Sequence, residues 1–246
     1  MVARVPDVVT DDGYVSVIIA RHLHRAGQWD AALSMLGGDD PEQRAAILVD
    51  RHWWRLDNPA TAQEAIDALD PSLPRTSLLL AQLAYIRLLF KRDTRPGDQQ
   101  RAETGFRTAA RDDTYRGWGT YWLGVLADTI QQDKVQARYW YDDALSLARG
   151  DADLFLESYV LRHLAGHQRD PAEGELLLRR SLQLRAALAA RPQVAEAQAT
   201  LASALAGGSE KATLVEAARA TAIELDLTWL RDSLGVSGNG MPLKKR

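Results

Sequence analysis

Residues 137–145 read ARYWYDDAL, three aromatic side chains and two carboxylates in nine positions. The stretch is open to two readings, a box for a ligand or nucleic acid, or the face of a packed helix. Spacing separates them. At 100° per residue, Ala137, Tyr141 and Ala144 fall on one face with Ala148 a turn beyond, Trp140 lies about 60° from its centre, and Tyr139, Asp142 and Asp143 are left to solvent. Small side chains let two antiparallel helices approach, and an aromatic one turn later fills the gap beside them. The stretch is therefore expected to be the second helix of a helical hairpin.

The same code recurs along the chain. Ala102, Phe106 and Ala109 repeat it 35 residues earlier. The register extends back to Ala65 and Ala32 and forward to Gly174, Leu178 and Ser181, giving a unit of 33 to 37 residues. Gly27 and Gly97 each stand five residues before the alanine that starts a second helix, where a left-handed turn ends the first. Turn signals at Gly37-Gly38, Asn58-Pro59, Asp70-Pro71 with Pro74, Pro96-Gly97, Gly150, Asp170-Pro171, Pro192 and Gly207-Gly208 separate helical stretches of roughly ten to twenty residues. No strand pattern of convincing length appears between them.

This pattern resembles the tetratricopeptide repeat, a hairpin of about 34 residues with a Leu-Gly pair in its first helix and Ala, aromatic and Ala in its second. Leu123-Gly124 supplies the pair, one residue out of register with Ala137. The likeness runs from residue 14 to about 223 and is clearest at 75–112 and 113–149. It implies an all-α, right-handed α-solenoid of about six antiparallel hairpins with a C-terminal capping helix, one domain over residues 1–234. In ATAIELDLTWLRDSLG, Trp229 and Leu230 are expected to cover the open end of the stack. Residues 235–246, with three glycines in GVSGNGMPLKKR, read as a flexible basic tail.

Composition narrows the partners. The 246 residues carry 30 basic and 33 acidic side chains, a formal charge of -3, so no overall field favours nucleic acid or an anionic membrane. The longest early apolar block, VSVIIA, is six residues, too short for a signal peptide or a span. The absence of cysteine removes disulfides and thiolate chemistry and fits a reducing compartment, so a cytoplasmic location is expected.

In the resembled family the first helices line a concave groove that holds a peptide. Carried over by register, the groove face has Trp118, Tyr121, Val125 and Asp128 in the fourth unit, Gln82 and Tyr85 in the third, and Tyr159 and Arg162 in the fifth. Arg51 and Arg55 join from the second, Glu196 and Ser203 from the sixth. The family's lysine and asparagine clamp for a terminal carboxylate is not visible at these positions.

Other chemistries lack their carriers. There is no phosphate loop, no GxGxxG after a strand and no GxSxG elbow. His163 and His167 stand four apart, but a helix end at Gly166 would put His167 in a turn. Gly117-Trp118-Gly119 reads as a turn, and Asp39-Asp40 and Asp112-Asp113 as helix caps. No metal or cofactor is expected. The expected function is a non-enzymatic scaffold, monomeric or weakly dimeric, that binds a protein or peptide in its groove or acts as a sensor for a small peptide or metabolite. An all-α enzyme with a pocket around Trp118, Tyr121, Tyr159, Arg162 and His163 and a homo-oligomeric structural protein are the alternatives.

Overall fold

The computed structural model describes residues 12–38 and 40–236, side chains from residue 15 onward. Over these residues the chain forms thirteen α-helices and no strand. In chain order they are α1 (Asp12–Arg25), α2 (Trp29–Leu36), α3 (Pro41–Arg55), α4 (Pro59–Asp67), α5 (Pro74–Phe90), α6 (Asp98–Ala109), α7 (Arg116–Leu126), α8 (Lys134–Gly150), α9 (Leu154–Ala165), α10 (Pro171–Ala187), α11 (Arg191–Ala204), α12 (Ser209–Glu224) and α13 (Thr228–Ser233). Six successive pairs, α1 with α2 through α11 with α12, pack as hairpins, and each hairpin packs on the next. Of the basic tail, residues 237–246 lie outside the described residues.

The hairpin code is seen in burial. Ala137, Tyr141, Ala144 and Ala148 are buried while Tyr139 is exposed, and Ala102, Phe106 and Ala109 are buried in α6. The ring of Tyr141 rests on Gly124 of α7, where an added Cβ would stand 2.7 Å from it. In α4 the register differs from expectation. Ala62 and Ile66, with Leu69 beyond, are buried and Ala65 is only half-buried, because Pro59 starts the helix directly and the face turns by three residues.

Two further local expectations change. Gly117-Trp118-Gly119 is helical, inside the first turns of α7, and Gly119 is small because any Cβ would overlap the backbone of Ala109 and Ala110 at the end of α6. The one-residue offset between Leu123-Gly124 and Ala137 is taken up by a π-helical turn, Ala127–Gln131, which holds more residues per turn than an α-helix. Asp40 caps α3 as expected, accepting the Gln43 amide, whereas Asp39 lies outside the described residues. Asp112-Asp113 does not cap a helix: Tyr115 holds the N-cap position of α7 without a side-chain bond, Asp112 accepts the amides of Thr114 and Tyr115 in the turn ahead of it, and Asp113 pairs with Arg116 at 2.5 Å.

The two ends of the array meet. One hydrophobic cluster joins Ala20, Trp29 and Ile47 of the first two hairpins to Ala195, Ala222 and Leu230 of the last helices. Trp229 of α13 stacks on Trp54 of α3 at 5.3 Å and 19°, and Arg55 Nε donates to the Leu225 carbonyl at 3.3 Å. Gly27, at φ +76, leaves room for Leu225 and Pro192, whose side chains would lie 2.8 and 3.0 Å from an added Cβ. Trp229 and Leu230 thus cover more than the end of the sixth pair, since they also join it to the second hairpin.

Candidate functional site: an aromatic cavity

The first helices α1, α3, α5, α7, α9 and α11 face a common space. With Trp229 of α13 they line a cavity of about 600 Å³. Its wall is a continuous set of rings. Trp53 stacks on Tyr85 at 6.0 Å and 13° and meets Trp122 and Trp229 edge-on at 6.0 and 6.4 Å. Further along, Trp118 meets Tyr121, Phe155 and Tyr159 at 5.9, 5.8 and 5.4 Å. Such edge and offset contacts are the favoured aromatic geometries and hold the rings in fixed orientations.

Polar groups lie within this wall. Glu196 of α11 takes Arg185 at 2.5 Å on one oxygen and Arg162 on the other. Burial alone would raise the Glu196 carboxyl, but the two guanidiniums outweigh it and hold the group below its ordinary value. Arg162 also approaches His163 Nε2 at 3.1 Å. The His163 ring sits between two phenols, with Tyr121 Oη 3.2 Å from Nε2 and Tyr141 Oη 3.1 Å from Nδ1. Burial pushes His163 down to about 4, against the pull of Asp128, so the ring is neutral at neutral pH. Burial likewise raises the phenols of Tyr121, Tyr85 and Tyr159, which stay protonated.

Asp128 stands behind this cluster. The π-helical turn carries it against Lys134 at 2.5 Å, Tyr141 Oη at 3.3 Å and His167 Nε2 at 3.5 Å. Burial would raise its carboxyl, but His163 and Lys134 outweigh that and depress it well below the usual carboxylate range. The neighbouring Thr129 meets the Tyr85 hydroxyl at 3.0 Å, so the same turn fixes a second wall tyrosine.

Six of the residues proposed from sequence, Gln82, Tyr85, Trp118, Tyr121, Tyr159 and Arg162, line the cavity, as do Val125 and Glu196. Three do not. Arg51 and Arg55 both pair with Asp30 of α2, at 2.9 and 3.2 Å, and the Arg55 guanidinium lies 5.0 Å over the Trp29 ring. The α3 residues that reach the cavity are Gln43, Ala46, Val49, Asp50, Trp53 and Trp54, a face that leaves Arg51 and Arg55 towards α2; the sequence offers no glycine turn at Asn58-Pro59 from which to phase that helix. Asp128 supports the wall from behind and is not part of it. Ser203 lines a separate pocket of about 330 Å³ that shares Arg162, Glu196 and Trp229 with the first.

Residues missed from sequence include Trp53, Trp122, Phe155 and Trp229, as well as Arg21, Arg25 and Arg75. Trp53 carried a signal, the adjacent pair in HWWR, which a correctly phased α3 would have exposed. His167 lies in the turn after α9, where it was expected. No group of three or more metal-ligating residues is found among the described residues, and no helix there is long and apolar enough to cross a membrane. No protein-family model, curated protein or solved structure matches the chain.

Proposed function

We propose that this chain is a tetratricopeptide-like solenoid that works as a binding module of the sensor type, holding one compact ligand among its first helices. The observation that carries the reading is the cavity itself. Its volume of about 600 Å³ falls in the range of small-molecule sites, roughly 300–1,000 Å³, and its walls are rings already locked by their neighbours. A pre-formed apolar wall lowers the ordering cost of binding. A compact molecule fits these dimensions better than a long extended peptide, which narrows the groove reading to a short peptide end or a metabolite.

The position of the cavity supplies a means of output. Trp229 belongs both to the wall and to the contact between the chain's ends. A ligand that binds better to one arrangement of α13 shifts the population towards it, and the exposed faces of α12 and α13 change with it.

The test uses N-phenyl-1-naphthylamine, a neutral fluorophore that brightens in apolar surroundings. Saturable binding of one probe per chain is expected, abolished by Gln82→Trp, which fills the cavity, with the far-UV circular dichroism unchanged. Binding that survives the filled cavity would refute the reading.

An enzymatic reading has one observation in its favour, His163 held between two phenols on the cavity wall. It stands second because both imidazole nitrogens are already engaged and the phenols are pushed away from ionisation, which leaves no activated nucleophile. Recovery of the native ligand chemically unchanged after prolonged incubation separates the two.

A further inference from the structure

We infer that the ligand of this cavity is a small organic anion, with a flat apolar body against the aromatic wall and its negative group at the mouth beside Arg21, Arg25 and Arg75. The inference rests on the reading of the cavity as a ligand site and adds the ligand's chemical class. Its basis is an imbalance among the charged residues of the lining.

The carboxylates of the lining are satisfied. Glu196 lies between Arg162 and Arg185. Asp50 accepts the indole N–H groups of Trp29 and Trp54 at 2.8 and 3.2 Å and meets His24 at 3.0 Å. Three cations are not satisfied. Arg21, Arg25 and Arg75 line the cavity and make no ion pair among the described residues. Arg25 lies 5.8 Å over the Phe155 ring, Arg75 lies 5.5 Å over Tyr115, and Arg21 is exposed. Asp40, Glu42 and Asp112 lie near Tyr115, the ring under Arg75, but outside the lining, where the four arginines Arg21, Arg25, Arg75 and Arg162 face the two carboxylates Asp50 and Glu196. A chain with a net charge of -3 therefore presents a local positive surplus at this opening.

The surroundings favour the same sign. Gln43, Arg75, Trp118, Phe155 and Gln193 come from the first turns of α3, α5, α7, α9 and α11, so the positive ends of five helix dipoles border the part of the lining that holds Arg75, while Arg25, Trp54, Phe90 and His163 bring the last turns of α1, α3, α5 and α9 to other parts of it. Aromatic walls alone would also suit a quaternary ammonium. Here a cation would meet three unpaired guanidiniums at entry and no free carboxylate inside.

The test compares two probes with one ring frame. 1-Anilinonaphthalene-8-sulfonate carries a sulfonate, and N-phenyl-1-naphthylamine lacks it. At low ionic strength the sulfonate is expected to bind at least about tenfold more tightly, a gap that closes as salt screens the mouth. The variant R21Q/R25Q/R75Q should lose that advantage and keep its affinity for the neutral probe, which also reports that it has folded. Equal binding of the two probes by the wild-type chain, or an equal loss of both in the variant, overturns the inference and leaves the cavity in place. Failure of both probes to bind, or indifference of both to Gln82→Trp, overturns the cavity reading and this inference with it.

Discussion

Tyr141 does two jobs that substitution can separate. Its ring is fully buried against Gly124, and its hydroxyl reaches Asp128 of its own hairpin at 3.3 Å and His163 Nδ1 of the next at 3.1 Å. Tyr141→Ala removes both and should cost about 3–5 kcal/mol, as large-to-small changes in a core do. Tyr141→Phe keeps the ring and leaves His163 and Asp128 each short of a partner, which should cost about 1–2 kcal/mol. Gly124→Ala completes the set. Its methyl overlaps the ring in the wild type and has room once the ring is gone, so the two substitutions should couple by about 1 kcal/mol or more, with Gly124→Ala much less harmful in the Tyr141→Ala background. Urea unfolding followed by circular dichroism at pH 7.5 measures the wild type, the three single variants and the Gly124→Ala/Tyr141→Ala double variant. A Phe variant as unstable as the Ala variant would show that the ring contributes little and sink the packing argument. A Phe variant equal to wild type would remove the hydroxyl bridge, and additivity would place Gly124 away from the ring.

Trp229→Ala should destabilise the chain by about 3 kcal/mol and speed amide exchange in α2 and α3 as well as in α13; exchange confined to α13 would contradict the meeting of the ends. Glu196→Gln leaves two guanidiniums in the wall without their carboxylate and should cost about 3–5 kcal/mol in thermal or urea unfolding, whereas a loss below 1 kcal/mol would mean that solvent reaches them. His163 is held near 4 in the fold against about 6.5 in the unfolded chain, so the unfolded chain takes up the proton first as pH falls. Stability from this group is complete above about pH 6.5 and is lost towards pH 4, by about 3 kcal/mol in all. His52, also lowered chiefly by burial, adds to the same trend. The slope of unfolding free energy between pH 6.5 and 4 should flatten in His163→Gln; an unaltered slope would place the titration elsewhere.

The hairpins were legible because their code is local. Ala137, Tyr141 and Ala144 meet the preceding helix at a spacing fixed by helical geometry, and the same holds for Ala102, Phe106 and Ala109. Within α5, α7 and α9, the register carried from these units put Tyr85, Trp118, Tyr121, Tyr159 and Arg162 on one shared face, the face that lines the cavity. Legibility failed where the phase was interrupted, at Arg51, Arg55 and Ala65 around Asn58-Pro59. It failed again where the partner lies far along the chain. Nothing in the spacing of TWLRDSLG tells that Trp229 will stack on Trp54, and nothing near Asp128 tells that a π-helical turn will place it under His163.

The meeting of the ends also bears on the order in which the molecule can form. Each hairpin closes over a few tens of residues, but the bond from Arg55 to the Leu225 carbonyl spans 170. Contacts of such separation pay a loop-closure entropy that neighbouring hairpins avoid unless the intervening chain is already shaped. The hairpins between them are that shape, since each sets the direction of the next. Closure is therefore expected last in folding, and during synthesis Trp53 and Trp54 emerge some 175 residues ahead of Trp229. For that interval the aromatic wall stands open to water, which makes it the stretch through which a stalled chain would aggregate.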